Sequence, residues 1–95
     1  MPFGPTSSTS ANVAASATEV TIFAANSNAV EGRTVFNDSG VATLYLKKGT
    51  GVTTSSHFVQ IPPGQLYEFP QPCYRGVVTG LWSSASGAAR TTEDS

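Results

Sequence analysis

His57 is the only imidazole in the chain and Cys73 the only thiol. Together they are the one nucleophile and base pair the residue types permit, a thiol activated by a neighbouring ring. The local sequence speaks against it. Cys73 follows Pro70-Gln71-Pro72 in a bend, has Arg75 as its only nearby base, and nothing there predicts the helix N-terminus that lowers a thiol pKa. His57 is therefore expected on a strand, at a polar rim or in a subunit contact, and Cys73 as a small apolar loop residue. Glu19, Glu31, Asp38, Glu68 and Glu93 are too scattered to read as a paired acid and base, and Asp38 reads as a turn former. Gly49-Thr50-Gly51 lacks the lysine and following helix of a phosphate loop and reads as a hairpin turn. One His and one Cys cannot close a tetrahedral metal site within a single chain. The expectation is a protein that is not an enzyme and takes no cofactor.

Composition narrows the class further. The 95 residues carry five Lys and Arg against six Asp and Glu, a net charge of -1, with no like-charge run beyond Lys47-Lys48 or Glu93-Asp94. Such a surface offers no basic stripe for nucleic acid or anionic lipid. The apolar stretches are a few residues long, far short of the roughly 20 a membrane helix needs, and the first residues show no basic start or apolar signal region. Neither a nucleic-acid nor a membrane partner is expected. A single Cys allows no internal disulfide, so stability must come from packing or from neighbours. Ser and Thr fill 24 positions and Leu only four, which leaves few strong helix formers besides Ala.

The elements that remain are strands. Residues 1–16, MPFGPTSSTSANVAAS, offer only Phe3 and Val13 as sizeable apolar groups and read as an extended N-terminal arm, either loose or laid across a neighbour. Residues 17–95 read as the folded domain. From Ala17 the pattern alternates: Val20, Ile22 and Ala24 on one face, Glu19, Thr21 and Phe23 on the other. Further strands are expected at 33–37, 42–47, 56–61, 65–69, 77–82 and 88–93, separated by turn chemistry such as Asp38-Ser39-Gly40 and Pro62-Pro63-Gly64. About seven short strands without a crossover helix predict an all-β fold, a small antiparallel sandwich or jelly-roll-like barrel.

Several strands carry apolar groups on both faces, for example Val77 and Leu81 against Val78 and Trp82. A lone sandwich would leave one of those faces wet, so a homo-oligomer or a larger surface is expected to cover it. Phe3, Val13, Phe23, Tyr45, Tyr67, Phe69 and Trp82 are the candidate interaction residues.

Two stretches are familiar in combination. Arg33–Ser39, RTVFNDS, followed by Thr43–Gly51, TLYLKKGTG, resembles a pattern of small virion proteins of tailed bacteriophages. Pro63–Pro70, PGQLYEFP, and Tyr74–Glu93, YRGVVTGLWSSASGAARTTE, look like their C-terminal half; the Pro-Gln-Pro-Cys segment at 70–73 is longer than the pattern. The resemblance implies a β-rich structural protein of the phage particle with no catalytic residues. It implies a turn at Asn37-Asp38-Ser39-Gly40, packing anchors at Tyr67 and Trp82, and Arg90 with Glu93 closing the last strand. The expected function is a capsid decoration or cementing protein, made in the host cytoplasm and placed on the virion surface. Its expected partners are itself, as a trimer or other cyclic oligomer, and the major capsid protein or neighbouring virion proteins. A head–tail connector or tail component is the alternative, and a carbohydrate- or receptor-binding module using Tyr45, Tyr67 or Trp82 is the third.

Overall fold

The computed structural model describes residues 7–26 and 31–95. Among these there are eight strands and no helix: β1 (Ser8–Ala14), β2 (Val20–Phe23), β3 (Gly32–Asp38), β4 (Leu44–Lys48), β5 (Val59–Ile61), β6 (Leu66–Glu68), β7 (Val78–Trp82) and β8 (Ala88–Asp94). They form two four-stranded antiparallel sheets, ordered β1-β8-β3-β6 and β2-β7-β4-β5. The pairings β1·β8, β2·β7, β3·β6 and β4·β5 are those of one long hairpin wound over on itself, and its two sheets are the eight-strand jelly roll.

The expected all-β sandwich is thus the observed fold, with one strand more than the sequence suggested. That strand comes from the segment read as an arm. Ser8–Ala14 pairs with β8 in unbroken register, from Ser8 opposite Asp94 to Ala14 opposite Ala88. Residues 7–16 therefore belong to the sandwich rather than to a separate arm ending at 16, and residues 1–6, Phe3 included, lie outside the described part. The small, polar residues of Ser8–Ala14 could not order alone, but β8 supplies a ladder of backbone partners, and Val13 and Ala15 pack against the core.

The core lies between the sheets. Ala42, Leu44 and Leu46 are all buried, as their alternation with Thr43, Tyr45 and Lys47 predicts. On β2 the alternation breaks: a bulge between Thr21 and Phe23 turns both Ile22 and Phe23 inward, where the sequence put them on opposite faces. Gly80 sits where a Cβ would press on Ile22 and Leu44 of the two flanking strands, so the lack of a side chain there makes room for theirs.

All five residues of β7 are buried, which a sandwich face alone does not explain. The loop between β4 and β5 folds back over the outer face of this sheet. Thr79 Oγ1 donates to the Gly49 carbonyl at 2.7 Å, Lys47 Nζ to Ser56 Oγ at 2.7 Å, and the His57 ring meets Tyr45 edge-on at 4.9 Å. Glu19 holds the loop by accepting the Gly51 and Val52 N–H groups at 2.7 and 3.1 Å. The second apolar face of β7, expected to need a partner, is covered by the chain itself.

Candidate interaction surface

The inward face of β3 reads Arg33, Val35, Asn37, so a polar group stands at each end of a central strand with Val35 between. The Arg33 side chain is wholly buried. Its Nε donates to Glu93 at 2.7 Å, Nη1 to the Gly76 carbonyl at 2.7 Å and Nη2 to the Ala24 carbonyl at 2.9 Å, with its guanidinium 4.7 Å from the Phe23 ring centre. Glu93 also accepts from Asn26 Nδ2 at 2.9 Å. One guanidinium thus ties β2, β8 and the 75–76 loop together at one end of the sandwich.

Arg90 and Glu93 both lie in β8, the last strand, as the resemblance implies, but they do not pair with each other. The two residues are three apart on one strand, so their side chains leave opposite faces. Arg90 instead pairs with Asp38 at 2.8 Å on the exposed side. The turn expected at Asn37–Gly40 starts later than the resemblance implies. Asn37 and Asp38 finish β3, and Ser39 Oγ makes the turn by accepting the Val41 and Ala42 N–H groups at 3.3 and 2.9 Å.

No hydrogen bond joins His57 to Cys73. The His57 ring bonds the Thr53 carbonyl and Gln60, while Cys73 Sγ contacts the Tyr74 carbonyl at 3.6 Å. Burial holds the Cys73 thiol pKa above its ordinary value, against the opposing pull of Arg33. Among the described residues no three His, Cys, Asp or Glu side chains converge as a metal site would need.

The candidate interaction residues separate into two groups. Phe23, Phe69 and Trp82 are buried in this chain's own core, so their side chains are closed to a partner. Phe69 joins Phe23, Phe58 and Tyr67 through edge-on ring contacts of 5.6–5.8 Å, an arrangement that fills the interior with few large residues. Trp82 is the packing anchor its position implied, and it offers no ring for a sugar to stack on. Val13, Tyr45 and Tyr67 are half-buried and remain reachable.

What the fold does present to its surroundings is two flanks where the sheets end. On one, the edge strands β5 and β6 border a groove of about 310 Å³ lined by Gln60, Ile61, Pro62, Gln65, Leu66 and Tyr67. Leu66 there is 63% exposed, unusual for a leucine in so small a protein. On the other flank, β1 and β2 border a second groove, about 260 Å³ in volume. Leu66 and the edge of β1 were missed in the sequence. Leu66 looked like one more strand residue, and the weak alternation of Thr9, Ala11 and Val13 with Ser8, Ser10 and Asn12 was the only sign of β1.

Comparison with family models, with curated proteins and with solved structures finds no match to this chain.

Proposed function

We propose that this chain is a non-enzymatic structural protein of a bacteriophage particle, a decoration or cementing subunit that binds the major capsid protein lattice and stabilises the head. The observation that carries the reading is the jelly roll itself, an architecture shared by viral capsid and lectin domains, built here from segments that resemble phage virion proteins. Fold alone does not fix function, so the side chains matter as much. Arg33, Glu93, Arg90, Asp38 and Glu19 are all engaged in holding strands and loops together. The groove beside exposed Leu66 is the apolar surface for attachment, and burial and avidity are the mechanism. The lectin-like alternative has lost Trp82 to the core.

The test is incubation of the purified chain with phage heads that lack it. Saturation at a fixed ratio to capsid subunits, with heads that survive heating better, is the expected result, and Leu66→Glu should lower occupancy without unfolding the chain. Binding to isolated portal or tail complexes but not to shells would move the protein to the connector or tail. No binding to any particle component would remove the virion reading.

A further inference from the structure

The four sheet edges are not protected alike. β5 and β6 are three residues long, and β2 is four residues interrupted by a bulge. Short length and bulges are ordinary devices that stop an edge from templating another strand. β1 has neither: it is seven residues long, unbroken in register, and its sequence STSANVA contains no charge and no proline.

The direction of its backbone groups follows from one end. The Ser7 N–H donates to the Ser95 carbonyl at 2.8 Å and the Ser95 N–H to the Ser7 carbonyl at 2.9 Å, so residue 7 turns both groups toward β8. In an antiparallel ladder this alternates. Thr9, Ala11 and Val13 therefore face β8 in the same way, and Ala15 is in phase, donating to the Gly87 carbonyl at 3.0 Å. Ser8, Ser10, Asn12 and Ala14 direct their N–H and C=O groups off the edge of the sheet, where no described strand pairs with them.

We infer that β1 pairs antiparallel with β1 of a second copy, about a two-fold axis at Ala11. In that register Ser8 lies opposite Ala14 of the other copy and Ser10 opposite Asn12. The four outward residues of each strand all fall in doubly bonded positions, giving four pairs and eight hydrogen bonds. A shift of two residues leaves an end unpaired, and a shift of one sets open groups against occupied ones. At the axis Ala11 meets itself in a non-bonded pair, where Cα atoms come within about 4.5 Å and a small side chain fits. Thr9 meets Val13, and no charged residue of either β1 faces another.

The fit of β1 to itself selects a copy of this chain over an unrelated strand, since every outward group is used, Ala11 sits at the crowded axis and no charge opposes another. The groove of about 260 Å³ beside β1, with Ile22 and Phe23 in its lining, comes to face its own image across the axis. The same movement that completes the ladder brings the two groove mouths, with Thr9 and Ala11 of β1 on their rims, toward each other. The contact is isologous and closes at two copies, with one continuous sheet β6-β3-β8-β1-β1-β8-β3-β6.

The test is the solution mass of the full chain across a dilution series, by analytical ultracentrifugation. The expected result is a rise from one chain to two, reversed on dilution because the contact is small. Two variants locate the interface: Ser10→Lys with Asn12→Lys, and Ser10→Glu with Asn12→Glu, all at exposed positions. Each places like charges directly opposite one another and should weaken its own dimer about tenfold or more, with the circular dichroism of the fold unchanged. An equimolar mixture should recover the two-chain mass and lose it again in about 1 M salt. A wild-type chain that stays single at every concentration overturns the inference, and so does a dimer that both variants retain. Head binding is measured separately, so this pairing and the virion reading fail or hold independently.

Discussion

The indole N–H of Trp82 on β7 donates to Oδ1 of Asn37 on β3 at 3.0 Å, a hydrogen bond between the two sheets inside the core. Asn37 Nδ2 gives its two hydrogens to the carbonyls of Ala42 and Ile61 at 2.8 and 2.9 Å, so the amide serves three partners while fully buried. Buried polar groups of this kind stabilise only while satisfied. Trp82→Phe leaves Oδ1 without its donor and should cost about 1–3 kcal/mol for that group, beyond the loss of ring volume. Asn37→Ala strands an indole N–H and two carbonyls and should cost more. Asn37→Asp turns a carboxylate toward the same two carbonyls, which raises its folded pKa. Relative to wild type, its deficit should be greatest at neutral pH and shrink in acid, as the protonated form becomes a donor. Urea unfolding at two pH values checks both the ranking and the sign.

The two ion pairs among the described residues should behave differently although their distances are nearly equal. Arg33 and Glu93 meet at 2.7 Å with the arginine side chain wholly buried, whereas Arg90 and Asp38 meet at 2.8 Å with both side chains about half exposed. Removing one member of a buried pair leaves an uncompensated charge and unpaired carbonyls. Arg33→Ala should cost about 3–5 kcal/mol. Arg90→Ala should cost no more than about 1 kcal/mol and less in high salt, because solvent already screens the pair. Denaturation midpoints in low and high salt distinguish the two cases, and equal losses would contradict the burial argument.

The sequence carried the all-β class because period-two patterns such as Ala42, Leu44 and Leu46 state an inward face directly. It did not carry β1, whose residues are small and polar and whose order comes from the β8 ladder rather than from its own burial. Nor did it reveal Arg33 or Asn37 as interior groups, since an inward polar residue reads as a pattern error until its partners at Glu93 and Trp82, about 60 and 45 residues away, are known. The aromatic residues misled for a related reason. Phe23 looked free for a partner because the bulge on β2 has no sequence signature, and the outer face of β7 looked surplus because nothing in the sequence marks the fold-back of the 49–58 loop.

Gly87 and Gly49 separate conformational strain from collision. Both have positive φ, +97° and +99° respectively. A Cβ at Gly49 meets nothing within 4 Å, so Gly49→Ala should cost only the backbone penalty, about 1–2 kcal/mol. At Gly87 the same carbon runs into the Asp38 carbonyl oxygen and the backbone of Ser39, neither of which is the free end of a flexible side chain. Gly87→Ala should therefore be clearly the more damaging of the two, and thermal melts of both variants give the comparison.

Cys73 supplies a pH-dependent test of burial in the 70–76 bend. Burial favours the neutral thiol, and the Glu93 carboxylate adds to it, while Arg33 and Arg75 pull the other way; the outcome is a pKa raised above the ordinary thiol value. At mildly alkaline pH the folded chain should thus react with iodoacetamide more slowly than the urea-unfolded chain, since only the thiolate attacks. The sign for stability follows by linkage. Below the unfolded pKa the thiol is neutral in both states and contributes no slope; as pH rises through the unfolded and then the folded value, the unfolded chain loses its proton first and stability falls. Cys73→Ser should remove that alkaline slope while leaving the neutral-pH stability nearly unchanged. A folded thiol that alkylates as fast as the unfolded one would place Cys73 in water and overturn the desolvated bend.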